Sequence, residues 1–155
     1  MKKIFSTGYK FQSLDAAIFL IRIGIAGMML VHGIPKMGQL FSGSEIQFPS
    51  VFGMSPEVSL GLAVFAEVVC SVLILAGLGT RLAVIPLAIT MMVAAFSIHA
   101  ADPFVKKEMA LHYLLTYVVL FFTGSGKYSL DHYIFQNRLS PVQTRDRHQG
   151  YSIEK

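Results

Sequence analysis

Residues 14–34 read LDAAIFLIRIGIAGMMLVHGI, an apolar stretch of 21 residues broken by Arg22 and His32. At about 1.5 Å of rise per residue, roughly 20 apolar residues in a helix cross a hydrocarbon core of about 30 Å, so this stretch is predicted to be a membrane span. A charge inside such a span is costly. Arg22 therefore requires an anionic partner on another span, a water-filled cavity or a bent membrane around it.

Three more stretches follow: VSLGLAVFAEVVCSVLILAGL over 58–78, RLAVIPLAITMMVAAFSIHA over 81–100, and EMALHYLLTYVVLFFTG over 108–124. None of the four shows a clear polar stripe, which a soluble bundle would need on its outer face. The bulk figures agree: 54% of the 155 residues are hydrophobic and 14% charged, with a mean hydropathy of +0.58. Such a chain cannot cover itself with polar groups in water. The fold predicted is all-α, an integral membrane antiparallel four-helix bundle. Its parts are a cytoplasmic N-terminal tail over 1–13, a four-helix transmembrane domain over 14–126, and an interfacial helix with a polar tail over 127–155.

Local signals set the connections. Pro35 is expected to close the first span, and the small residues Gly24, Ala26 and Gly27 to form a patch where another helix comes close. The Gly-, Ser- and Pro-rich segment 36–54 reads as an irregular loop at the interface. Ser55, Pro56 and Glu57 are a good helix start: a capping hydroxyl, a proline at the first helical position and a carboxylate in the first turn. Pro86 is expected to kink the third span, Asp102-Pro103 to stop it, and YSLDHYIFQNRL over 128–139 to form a short surface helix that ends by Pro141. No cleavable signal or lipidation motif is evident near the N-terminus or C-terminus.

The formal charge of +4 is spread through tails and connections, which argues against nucleic acid and toward a topology signal. With four spans, Lys2, Lys3, Lys10, Arg81, Lys127, Arg138, Arg145, Arg147 and Lys155 fall on one side. Lys36, Lys106 and Lys107 fall on the other. The positive-inside rule then puts both termini in the cytoplasm. Cys70 is the sole cysteine, so neither an intramolecular disulfide nor a Cys-x-x-Cys pair exists in this chain.

Depth counting places Arg22 roughly 12 Å and Glu67 roughly 16 Å above the cytoplasmic edge. They are predicted to pair, with Glu67 the proton-handling group and Arg22 setting its charge state; a buried ion pair that only locks the helices is the plainer reading. The same count puts His32, His99 and His112 in one layer roughly 24–27 Å up, with Glu108 a turn further out. Glu108 and His112 are spaced i and i+4 and share a helix face. Imidazoles and a carboxylate suit zinc, iron or copper, so His32, His99, Glu108 and His112 are a candidate metal set. Polar packing near the interface explains them equally well. Cys70, Ser71 and the Met pairs read as packing, while Tyr117 can reach inward.

The chain resembles the DoxX family of small four-span bacterial membrane proteins over about residues 14–131. The resemblance rests on FLIRIGIAGMMLVHGIPKM, on AEVVCSVLILAGLGTRLAVIPLAI, on the histidine ending the third span, on the glutamate opening the fourth and on the closing GSGKYSLD. Arg22, His32, Gly33, Lys36, Glu67, Gly77, Arg81, His99 and Glu108 match that pattern. The resemblance implies a relative of the membrane subunit of thiosulfate:quinone oxidoreductase, with some members tied to thiol-redox or oxidative-stress complexes.

The leading expectation is an accessory or subunit of a quinone- or thiol-linked redox system. His32, His99 and Lys36 would hold a quinone headgroup or other ligand, Glu67 and Arg22 would serve the chemistry, and a partner protein would carry electrons. A proton-coupled small-solute transporter, working as a homo-oligomer, and a noncatalytic scaffold are the alternatives.

Overall fold

The computed structural model describes residues 11–139, with side chains for 12–136. The expected tail charges Lys2, Lys3, Lys10, Arg145, Arg147 and Lys155 lie outside the described residues. The described chain is helical: α1 Phe11–Phe41, α2 Pro56–Ala76 and α3 Thr80–Ile98, α4 Phe104–Thr123 and a short α5 Leu130–Leu139. α1 packs on α2 and α4, and α3 packs on α2 and α4, giving an antiparallel four-helix bundle.

α1, α2 and α3 are each long and apolar enough to cross a membrane. α4 opens with Lys106, Lys107 and Glu108, so its uninterrupted apolar part begins only at Met109. The surface is that of a protein made for lipid. Leu20, Val31, Leu82 and Phe122 are 69–75% exposed on the outside, whereas in water apolar patches of this extent would associate. The interior holds Met29, Leu60, Ile74, Leu87, Tyr117 and Leu120, all buried.

Several local expectations hold. Ser55 caps α2, its hydroxyl accepting from the Val58 amide at 3.4 Å, and Pro56 is the first helical residue. Residues 42–55 form the irregular connection, and Gly77 ends α2 in the left-handed conformation.

Two expectations are corrected. α1 does not stop at Ile34 but runs through Pro35 to Phe41; a proline removes one backbone donor, which neighbouring groups in a membrane helix can accommodate. The small-residue patch packs only at Ala26, which is buried, since a Cβ added at Gly24 or Gly27 would meet nothing. The close approach is at Gly33, where a Cβ would lie 2.8 Å from Val68 Cγ2 and 3.0 Å from the backbone carbon of Glu67.

Neither α2 nor α3 is a uniform α-helix. Phe65–Cys70 within α2 and Ala94–Ile98 at the end of α3 are wound as π-helix. Such wide turns are rare and are frequent at functional sites.

Candidate functional site

Polar residues gather at two places, one at each end of the bundle. At the end carrying the 77–79 turn, Arg22 is 1% exposed and bonds only to backbone carbonyls. Its Nε donates to Ile74 O at 2.9 Å and its Nη2 to Leu75 O at 3.2 Å. Its Nη1 donates to Ser125 O and, at 3.1 Å, to Tyr128 O. These partners include the last carbonyls of α2, where a helix leaves acceptors unpaired and carries partial negative charge. Nearby, Asp131 accepts the Gly79 amide at 3.0 Å and the Ser125 hydroxyl at 2.8 Å, and Asp15 accepts the Lys127 amide at 3.2 Å. The 124–131 segment is thereby fastened across the ends of α1 and α2. Gly77 is required here twice over: its φ is +71°, and a Cβ would lie 2.5 Å from Arg22 Nη2.

The predicted Arg22–Glu67 pair is not formed. Helical side chains lean toward the N-terminus of their own helix. In the antiparallel pair α1 and α2, Arg22 therefore leans toward the 77–79 turn and Glu67 away from it. Glu67 instead meets Lys36, which leans down α1 toward it, with Lys36 Nζ 2.5 Å from Glu67 Oε1. Lys36 also lies 6.0 Å from the Phe48 ring centroid. Depth counting gave a level but no lean.

Glu67 sits in the first π segment and is 2% exposed. Its Oε2 is buried with no hydrogen-bond partner. It lines a cavity of about 180 Å³ together with Met29, His32, Lys36, His99 and Tyr113. The His32 ring stands edge-on to Tyr113 at 6.0 Å, and Tyr113 stacks on Tyr117 at 6.2 Å. The Tyr117 hydroxyl is itself buried and unpartnered. His99 follows the second π segment, and its Nδ1 is 2.7 Å from Asp102 Oδ2. The hydrogen bond from His99, with a second from Lys106, holds the Asp102 carboxyl below the usual carboxylate range.

Of the candidate metal set, the structure brings His32 and His99 to one cavity and leaves Glu108 and His112 out. Both are exposed on the face of α4 opposite Ala110 and Tyr113. Among the described residues no three His, Cys, Asp or Glu side chains come together as metal ligands. An ammonium also occupies one oxygen of Glu67, the one buried carboxylate among the described residues. The donor set does not fit a transition metal.

The bundle has a larger recess of about 520 Å³ beside Arg81 and Asp131 at the other end. It lacks the buried carboxylate, so the smaller cavity is the candidate site. Sequence reading missed the Lys36–Glu67 contact and the Asp102 partner of His99. The i, i+4 spacing of His32 and Lys36 on α1 was a usable signal for the first; the π segments left no visible mark in the sequence.

Comparison with known proteins places this geometry in company. The family model described as DoxX matches residues 17–100. The chain is 29% identical over 130 residues to "Putative oxidoreductase CatD" of Bacillus subtilis, covering 82% of this chain and 93% of that one. It is 32% identical over 123 residues to an uncharacterized protein of Haemophilus influenzae, covering 75% and 89%. A second uncharacterized H. influenzae protein is 29% identical over 122 residues, covering 74% and 81%. No solved structure matches.

Proposed function

The chain belongs to the DoxX family and is a membrane protein, and on that premise we propose that it is the membrane subunit or accessory of a quinone-linked oxidoreductase. The observation that carries this reading is the buried Glu67 carboxylate, one oxygen held by Lys36 and the other unpartnered, in the wall of a cavity shared with two histidines. A polar group buried without a partner costs about 1–3 kcal/mol. Natural proteins retain such a group where a ligand completes it.

The size suits one ring. An apolar cavity of about 150 Å³ takes up benzene, and drug-sized ligands need roughly 300–1,000 Å³; this cavity, at about 180 Å³, lies near the first. In this reading the ring enters from the bilayer, Lys36 and the histidines donate to its oxygens when they are carbonyls, Glu67 accepts from them when they are hydroxyls, and a partner protein donates or accepts the electrons. The name of the B. subtilis relative supports a redox setting. The uneven distribution of Lys and Arg supports an inner-membrane location with both termini in the cytoplasm.

The test is quinone content. Protein extracted with its native lipid should retain near-stoichiometric quinone or quinol, and Glu67→Gln should lower that total content at least tenfold. Wild-type protein free of both, and unable to take up either form from loaded nanodiscs, would overturn the proposal.

A further inference from the structure

At the end of the bundle that carries the 77–79 turn, the recess of about 520 Å³ opens between the first turn of α3 and the end of α4. Arg81 stands exposed in its wall, and its guanidinium reaches across from α3 to α4, where Nη2 donates to Phe122 O at 3.3 Å. Gly124 lets it lie there: a Cβ at that position would be 3.3 Å from Arg81 Nε, and the φ of +72° suits glycine. No carboxylate among the described residues pairs with Arg81, and most of its N–H groups remain open. Asp131 shares the recess, but it already accepts from the Gly79 amide and the Ser125 hydroxyl. The buried Arg22, bonded to the Ser125 carbonyl, offsets its charge. The open permanent charge of the recess is thus positive.

Beneath the recess the same two helices leave an apolar groove of about 330 Å³. Val84 and Tyr117 are its buried floor, while Ile85 and Met92 on α3 and Val118 and Phe122 on α4 are its walls, 42–73% exposed. From Val84 to Met92 the groove runs about 12 Å along α3. Recess and groove are continuous. Arg81, Ile85, Ile89 and Met92 recur at three- and four-residue spacing, so they share one face of α3 with the cation at its head. Phe122, whose carbonyl Arg81 holds, is itself a wall of the groove.

α3 begins at Thr80, so Arg81 lies at the membrane–water boundary. We propose that recess and groove are one binding site for an anionic phospholipid, its phosphate on the Arg81 guanidinium and one acyl chain between α3 and α4. The planar fork of arginine matches phosphate oxygens, and basic pockets between membrane helices hold anionic headgroups. A zwitterionic lipid carries the same phosphate, but its ammonium neutralises the headgroup that Arg81 attracts, so a net negative headgroup is preferred. The site is at the opposite end of the bundle from the Glu67 cavity and does not depend on the quinone reading.

The experiment is native mass spectrometry of the full chain in detergent, supplied with equal amounts of phosphatidylglycerol and phosphatidylcholine bearing the same acyl chains. The wild type is expected to retain one phosphatidylglycerol roughly fivefold more often than one phosphatidylcholine. Arg81→Gln, an exposed change, should bring that ratio to near one. Ala88→Leu, which narrows the groove, should lower the retention of both lipids and leave their ratio as it was; Arg81→Gln decides the case if the leucine variant does not fold. Equal retention of the two lipids by the wild type, or an unchanged ratio in Arg81→Gln, overturns the proposal. Phosphatidylglycerol displaced by excess inorganic phosphate, with retention unchanged in Ala88→Leu, would mark a free-phosphate recess without a chain site and would overturn it as well.

Discussion

Arg22 and Glu67 are both charged, both almost completely buried and both within apolar helices, yet their surroundings differ in kind. Every hydrogen bond shown for Arg22 goes to a main-chain carbonyl, and those carbonyls belong to chain segments that need closing. Glu67 has one oxygen paired and one buried without a partner, and the residue lines a cavity. A saturated buried charge is a structural fastener. The unsaturated one is where the proposed ring site finds its acceptor.

The comparison breaks most sharply at Arg22. Arg22→Met removes a donor from four carbonyls, three of them part-buried and the fourth, Ile74 O, still bonded by the Gly77 amide. It also leaves a long apolar side chain among them, so it is expected to cost about 3 kcal/mol. The variant should show a much lower melting temperature in detergent, with quinone or quinol binding lost only as folded protein is lost. Binding lost from a variant as stable as the wild type would show that the two ends are not separate in role.

Gly33→Ala tests the other end next. The added methyl group would collide with Val68 and the Glu67 backbone, at a cost of about 2 kcal/mol for overpacking. Ring binding should fall in this variant by more than its remaining folded fraction explains, because the collision falls on the π turn that presents Glu67. An unchanged affinity would mean that this turn does not set the site's geometry.

A third, smaller effect comes from the Lys36–Glu67 pair. In a double-mutant cycle of Lys36→Met and Glu67→Gln, each single change should destabilise more than the pair of changes taken together. The coupling should be about 1 kcal/mol, since Lys36 is partly exposed and its charge is screened. A coupling near zero would leave Glu67 with no electrostatic tie to α1.

The smallest effect is in acid. Asp102 has its folded carboxyl below the unfolded value of about 3.9. Its contribution is therefore present above about pH 4 and is lost as the pH falls through the lower folded value. The melting temperature of the wild type should fall over that range, and that of Asp102→Asn should fall less. Parallel curves would show that the His99–Asp102 contact is not stabilising.

Much of this fold was legible in the chain. The positions of the spans, the Ser55-Pro56 helix start and the Gly77 stop are consequences of local chemistry and stand where that chemistry puts them; the end of the first span does not, since the helix runs through Pro35 to Phe41. The partners of the charges were not legible, because residue counting gives height along a helix but not the lean of a long side chain. Arg22 and Glu67 have similar heights and point apart. Glu108 and His112 do share a face, as their spacing requires, but spacing cannot say that the buried face of α4 belongs to Ala110, Tyr113 and Tyr117. The π segments, which carry Glu67 and lead into His99, depend on packing between helices and have no composition of their own.

The fastening of Arg22 also fixes an order of events. Its acceptors are made 52 to 53 residues later, at Ile74 and Leu75, and 103 to 106 residues later, at Ser125 and Tyr128. A newly inserted first helix thus holds a charge with no mate, half of whose partners emerge only after the fourth helix has been synthesised. Until then that arginine must keep water or lipid phosphate around it, so the first helix stays unsettled in the bilayer. The segment that follows the last long helix completes the arginine's set of acceptors, so one side chain ties the first helix to the closing turn of the bundle.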